Sequence, residues 1–311
     1  MAQPAAESPS PGGFDPMRNK RFALATLRER FESDLVVLRS LLEEAGVSSA
    51  DPGAPSEWGD THLIRFVLGF GSGEEAARAF CRCVAWMETH NGAERRARFA
   101  SGATLDFAKL RLMRSLAPMQ RIGVCHHGCP VIVHYLGQLK PRKLTGAFSL
   151  DEIRTFNMLA TERTYCQLQH LSVRDSVLRR SVLILDLGGV GFNMAAPFAL
   201  AQLRTVVKEL TQVYIEMVER VFLVRVPLAG WLQSIAYSLA PERSHHKFTV
   251  LGSDFEDELC RYVPREQLPE ALRTGLPPTE GWGLQDGDVD IGDAGDESSE
   301  QTFFDAPESR A

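Results

Sequence analysis

Apolar residues at three- and four-residue steps open the readable part of the chain. Leu24, Leu27, Phe31, Leu35, Leu38 and Leu42 predict one helix with a single apolar stripe, which Gly46 can terminate. The stretch from Ser48 to Asp60 is rich in Ser, Pro and Gly and predicts a linker. Two helices follow, one from Leu63 to Phe70 and one opened by Ser72 with Glu75 three residues on, running to about His90. That Ser/Glu spacing is a capping box, in which hydroxyl and carboxylate each satisfy a backbone N–H left over at a helix start. The first third of the chain is therefore expected to be a small helical bundle.

From about residue 120 β-branched runs begin to alternate with helical ones. Val131 to Tyr135 predicts a strand, and Ser149 with Glu152 a second capping box, opening a helix through Ile153, Phe156, Leu159 and Ala160 towards His170. SVLILDL at 181–187 is continuously apolar and predicts a strand buried on both faces. Pro197 then enters a helix whose face is Leu203, Val206, Val207, Leu210, Val213, Tyr214 and Met217. A strand from Val221 to Val226 stops at Pro227. After it come a helix from Ala229 to Leu239, a strand at Phe248 to Leu251 and a helix opened by Ser253 with Glu256. Strands alternating with helices predict an α/β lobe with a mostly parallel sheet.

Composition adds little until charge is divided along the chain. The 311 residues carry a net charge of −6, which on its own disfavours nucleic acid, held through Lys and Arg. Residues 286–311, however, hold nine carboxylates against Arg310, a net −8, so the rest of the chain totals +2. A nearly neutral body with an acidic tail is free to approach an anionic surface. The lead-in, residues 1–16, is rich in Pro, Ala, Ser and Gly and is expected to be disordered; it has neither the basic nor the apolar region of a signal peptide. No apolar run reaches the ~20 residues a bilayer requires. With six cysteines and no secretory signal, the expectation is an intracellular, soluble protein with reduced thiols.

A search for reacting groups finds few. The turn Gly188 to Phe192 follows a strand, but Met194 stands where a dinucleotide loop needs its third glycine. There is no G-x-S-x-G elbow, no G-x-x-x-x-G-K loop and no H-E-x-x-H pair. Cys125, His126, His127 and Cys129 are close together, but a zinc site would need a second pair, for which only Cys81 and Cys83 offer themselves. The expectation is therefore a protein that is not an enzyme, with no catalytic residue, no metal and no cofactor.

Several short motifs meet in one family. Leu63-Ile64-Arg65-Phe66, then Gly128-Cys129-Pro130-Val131 with Gly137, Ile184-Leu185-Asp186-Leu187 with Gly189, Tyr214-Ile215-Glu216 ahead of a Pro-ended strand, Lys247 to Gly252 and Leu268-Pro269 occur in the order of the CRAL-TRIO domain. Residues 60 to 274 resemble that lipid-binding fold, known from the yeast phosphatidylinositol transfer protein and from tocopherol and retinaldehyde carriers. The resemblance implies an α/β CRAL-TRIO fold: a helical N-terminal region (17–95), a lipid-binding lobe (96–275) with a mostly parallel sheet around an apolar pocket, and a disordered tail (276–311). It implies a lipid-transfer protein whose ligand is a single phospholipid, phosphatidylinositol first, with transient membrane contact. A tocopherol- or retinoid-type carrier, or a lipid-sensing adaptor or enzyme regulator, is the alternative.

Within the family a mobile helix after the Pro-ended strand covers the pocket mouth and touches the membrane. Here the corresponding helix carries Leu228, Trp231, Leu232, Ile235 and Leu239 at helical spacing. In the inositol-lipid members a Glu accepts headgroup hydroxyls and a Lys, three residues after a Thr, meets the phosphate. The matching positions are Glu216, Lys247 and Ser244. Three positions depart from the pattern: Met217 replaces an Arg, Phe70-Gly71 stands near where an Arg-Lys pair is usual, and residues 272–275 replace an aromatic-Gly-Gly close.

The tail contains Phe303, Phe304, Asp305, Ala306 and Glu308 behind seven further acidic residues. It resembles the FFAT motif, E-F-F-D-A-x-E, with Thr302 in the first position. That resemblance implies binding to the MSP domain of VAP proteins, and hence a cytoplasmic protein peripheral to the endoplasmic reticulum at membrane contact sites. An acidic flank steered to a basic surface, followed by ordering of two phenylalanines in a pocket, is the physical basis.

Overall fold

The computed structural model describes residues 17–101, 108–190, 211–226 and 242–274. Six helices come first: α1 (Arg18–Arg21), α2 (Leu24–Arg30), α3 (Glu32–Glu44), α4 (Thr61–Phe70), α5 (Gly73–Thr89) and α6 (Gly92–Ala100). The single helix expected over Leu24 to Leu42 is two, because Phe31 leaves helical geometry at φ −109°, ψ 16°. Bonds from Phe31 N to Leu27 O and from Leu35 N to Phe31 O cross the break, so the chain bends while its apolar stripe stays continuous. At α5 the Ser72 side chain accepts from Glu75 N at 3.3 Å without the reciprocal bond, so only half of the expected capping box forms.

The second part builds a five-stranded sheet from β1 (Met119–Val124), β2 (Pro130–Tyr135), β3 (Ser181–Asp186), β4 (Val218–Val224) and β5 (Phe248–Val250). The strands lie in chain order; β1 and β2 form an antiparallel hairpin and the remaining pairs are parallel. Helices α7 (Ala108–Leu116), α8 (Pro141–Ala147), α9 (Leu150–Asp175), α10 (Phe255–Cys260) and α11 (Glu270–Thr274) accompany it. At Ser149 the capping box is complete, and α9 runs five residues beyond His170. β4 begins at Val218 rather than Val221 because Ser181 already pairs with Val218. Helical geometry ends at Val213, so Tyr214 and Met217 lie in the turn that follows. The last expected capping box does not form: Asp254, not Ser253, is the N-cap of α10, and its side chain makes no capping hydrogen bond.

Two apolar cores result. Helices α2 to α6 and α9 share one, with Leu27, Leu38, Leu42, Trp58, Ile64, Phe80 and Leu168 at its centre. One face of the sheet, through Val131, Val133, Val182, Ile184, Phe222 and Val224, shares the other with Leu259, Val263 and Leu272. The opposite face carries Ile132, Leu183, Leu185, Val221, Leu223 and Phe248 in lateral register. Among the described residues those six belong to neither core. Among the described residues no helix is long and apolar enough to cross a membrane.

Candidate functional site

Parallel strands bring the same end of each to one edge of the sheet, and the chain spends charged residues there. Arg180 directly precedes β3, Glu216 stands two residues before β4, and Lys247 directly precedes β5. Lys247 Nζ donates to Glu216 Oε1 at 2.6 Å and Arg180 Nη1 to Glu216 Oε2 at 2.9 Å. All three side chains are about nine-tenths buried. Glu219, the second residue of β4, continues the network: Arg18 Nε donates to its Oε1 at 2.9 Å, the Cys129 thiol to its Oε2 at 3.2 Å, and Arg180 Nη2 lies 3.9 Å away.

The electrostatics follow from this packing. Burial alone would raise both carboxyls, but Lys247 and Arg180 outweigh it at Glu216 and hold it below its ordinary value. At Glu219, burial is overcome by Arg180 and Arg18, which bring the carboxyl down to about 2. Burial lowers the Lys247 ammonium more than Glu216 restores it. Both carboxyls are thus held towards the anion, and the Lys247 charge is held against desolvation by a single carboxylate, Glu216.

Glu216 is placed by its backbone. It sits at φ +53°, a left-handed conformation that costs a non-glycine residue on the order of 1 kcal/mol. Arg65, fully buried, spans the turn: its Nη1 donates to Glu216 O at 2.8 Å, Nη2 to Arg179 O at 2.9 Å, and Nε to Gln169 Oε1 at 3.0 Å. Gly69 completes the seat, since a Cβ there would lie 2.5 Å from Ile215 Cγ2. At the exposed rim, Arg243 stacks over Phe70 at 4.6 Å and donates to Thr211 O at 3.2 Å.

Of the residues expected at the site, Glu216 and Lys247 are in direct contact and Ser244 lies in the same 3-10 helix as Lys247, Glu242–Lys247. The helix of Leu228, Trp231, Leu232, Ile235 and Leu239 lies outside the described residues, as do Phe303, Phe304, Asp305, Ala306 and Glu308. Arg180, Glu219, Arg18, Arg65 and Arg243 belong to the site without having been anticipated. His134 was also passed over: it alternates into the apolar face beside Leu185, and burial pushes its imidazole down to about 4. Cys81 and Cys83 sit on α5, far in sequence from the β1–β2 turn, and among the described residues no three His, Cys, Asp or Glu side chains converge as metal ligands.

A mixed α/β domain with a helical leader, one apolar sheet face outside both cores and a buried ionic cluster at its edge is the class these observations define. Residues 122–273 match the family model of the CRAL/TRIO domain. The phosphatidylinositol/phosphatidylcholine transfer protein SFH12 of Arabidopsis thaliana is 26% identical over 178 residues, 54% of this chain and 31% of that protein. The similarly described SFH14 of the same plant is 27% identical over 174 residues, 54% and 30% of the two chains. The chain thus spans about a third of the length of the curated relatives it matches. The crystal structure of Sfh5 superimposes with a TM-score of 0.51 over 72% of this chain and 80% of that one, at 16% identity, a likeness of fold alone.

Proposed function

We propose that the chain binds one phospholipid, phosphatidylinositol first, and carries it between membranes without changing a bond. The observation that carries the reading is the Lys247–Glu216–Arg180 cluster standing at the edge of an apolar sheet face that neither core uses. Acyl chains fit the second feature, and a phosphate with neighbouring hydroxyls fits the first, the phosphate taking Lys247 and the hydroxyls donating to Glu216. Ser244, in the same 3-10 helix as Lys247, would add a hydroxyl. The description of the relatives as phosphatidylinositol/phosphatidylcholine transfer proteins supports the lipid class. Extraction of lipid from vesicles tests it: Lys247→Ala is expected to weaken uptake of phosphatidylinositol more than of phosphatidylcholine. Equal loss for both would overturn the headgroup assignment, and no uptake by the intact protein would overturn the function.

The helix from Leu228 to Leu239 is the gate in this proposal, with Trp231 and the leucines entering the headgroup region as it opens. The acidic tail tethers the protein to the endoplasmic reticulum through VAP, placing transfer at membrane contacts. A pull-down of VAP by the intact protein and by Phe304→Ala decides that part: binding lost in the variant supports the tether, and binding equal in both, or absent from both, refutes it.

A further inference from the structure

The turn between β1 and β2 takes no part in the functional reading, yet it holds two cysteines in an unusual relation. Cys125 and Cys129 continue the register of Val124 and Pro130, with Cys125 N–H donating to Cys129 O at 2.8 Å. Gly128, at φ +77°, donates to Cys125 O at 2.8 Å and supplies the left-handed residue that closes a three-residue hairpin loop. Opposed residues joined in this way have Cα atoms about 5.5 Å apart, inside the range of about 4.4–6.8 Å that a disulfide spans. Both side chains are buried.

We propose that Cys125 and Cys129 are the two halves of a reversible intrachain disulfide, a redox modification site whose formation withdraws the Cys129 thiol from Arg18 and Glu219. No other cysteines among the described residues share this relation. Cys81 and Cys83 are two apart on a helix and point to different sides of it, and Cys166 and Cys260 lie on separate helices. Of the two thiols, Cys125 is drawn below its ordinary value by its neighbour Cys129, which is itself pushed up, so Cys125 is the one to lose its proton first. The Cys125 thiolate attacks one oxygen of a hydroperoxide such as hydrogen peroxide. The O–O bond breaks, Cys125 becomes a sulfenic acid, and the departing hydroxide takes a proton from solvent. The Cys129 sulfur then attacks the Cys125 sulfur, and the hydroxide that leaves removes the Cys129 proton as water. Two thiols lose two hydrogens and two electrons, and the peroxide becomes two waters; an external dithiol reverses the change.

The consequence reaches the ionic cluster. Cys129 Sγ lies 3.1 Å from Arg18 Nη2 and 3.2 Å from Glu219 Oε2, and Glu219 shares Arg180 with Glu216. Arg18 is buried by these contacts and anchors the short helix α1 to the sheet edge. Losing the thiol is expected to loosen that anchor. This inference stands whether or not a lipid is bound.

Full-length reduced protein, treated with equimolar hydrogen peroxide, blocked with N-ethylmaleimide and digested with trypsin, tests it. The peptide beginning at Ile122 is expected to be lighter by two hydrogens and unlabelled, and to accept two labels after dithiothreitol. Cys129→Ser is expected to stop at sulfenic acid on Cys125. Native cleavage after Arg18 should quicken several-fold in the oxidised protein and return on reduction. Both cysteines still labelled after peroxide, or both found as separate sulfinic acids, overturns the disulfide even if the serine variant fails to fold. An intact disulfide with unchanged cleavage at Arg18 overturns its link to the cluster.

Discussion

Two buried charge clusters, one in the helical core and one at the sheet edge, use the same chemistry to opposite ends. In the core, Arg96 Nε donates to Glu162 Oε1 at 2.6 Å and its Nη1 to Asp51. The remaining carboxylate oxygens are taken by hydroxyls, Tyr165 to Asp51 at 2.8 Å and Tyr214 to Glu162 at 2.6 Å. One cation faces two anions, the three charged side chains are at most 5% exposed, and the residues come from the linker, α6, α9 and the turn after Val213. At the sheet edge, Lys247, Arg180 and Arg18 face Glu216 and Glu219, and at the rim Arg243 makes no ion pair with a carboxylate among the described residues. The first cluster is closed and acidic, and joins four segments of chain. The second has cations in excess and an exposed side. A closed network whose every atom is satisfied can only hold the fold together; an excess of cations beside a rim has capacity left for a ligand anion.

The largest effect expected from this contrast is on stability. Arg96→Met leaves two carboxylates buried without a cation and should cost about 3–5 kcal/mol in urea unfolding. Lipid selectivity of the folded fraction should be unchanged. Lys247→Ala should cost far less, about 1 kcal/mol, because Glu216 keeps Arg180, while its effect falls on phosphatidylinositol uptake. If Lys247→Ala unfolds the protein as readily as Arg96→Met, the sheet-edge cluster is a second staple and the contrast fails.

Acid offers a milder probe. Glu219, brought down to about 2 from an ordinary 4.5, contributes stability that is fully present above pH 4.5 and is lost as pH falls towards 2. Stability measured across that window should fall more steeply in the intact protein than in Glu219→Gln. Parallel curves would mean that Arg18 and Arg180 do not hold the Glu219 charge.

Much of this contrast was legible in the sequence, though unevenly. Apolar periodicity found α4, α5, α9 and β2 to β5, because each buries a regular stripe or run. It merged α2 with α3, since Phe31 is apolar and keeps the stripe in phase across the bend. It missed β1, whose Gln120, Arg121 and Gly123 dilute any strand pattern at the outer edge of the sheet. Glu216 and Lys247 came from motif resemblance, and their contact bears on the same edge of the sheet. Arg180 and Glu219 were invisible because a charge beside a strand reads as a solvated end; only the parallel topology, which stacks the starts of β3, β4 and β5, turns three such ends into one cluster. Arg18 was harder still, its partner lying 201 residues away.

Arg243 gives the smallest and sharpest test. Where the family resemblance places an Arg-Lys pair, this chain has Phe70-Gly71, and Arg243 comes from the 3-10 helix before β5 to lie on the Phe70 ring. A cation over an exposed aromatic face is worth roughly 0.5–1 kcal/mol, so Arg243→Gln should move the unfolding midpoint little. Its guanidinium acts on both Glu216 and Lys247 through space. In the proposed reading an arginine in that position would meet the phosphodiester, which phosphatidylinositol and phosphatidylcholine share, whereas Glu216 would meet hydroxyls that only the first possesses. Arg243→Gln should therefore weaken extraction of both lipids alike, by up to about tenfold (~1.4 kcal/mol), while Lys247→Ala, which also strips Glu216 of the cation that holds it as acceptor for the inositol hydroxyls, should separate them. Arg243→Gln leaving both extractions intact would show that the excess charge at the rim has no ligand to meet, and would reduce the sheet-edge cluster to the same structural role as Arg96.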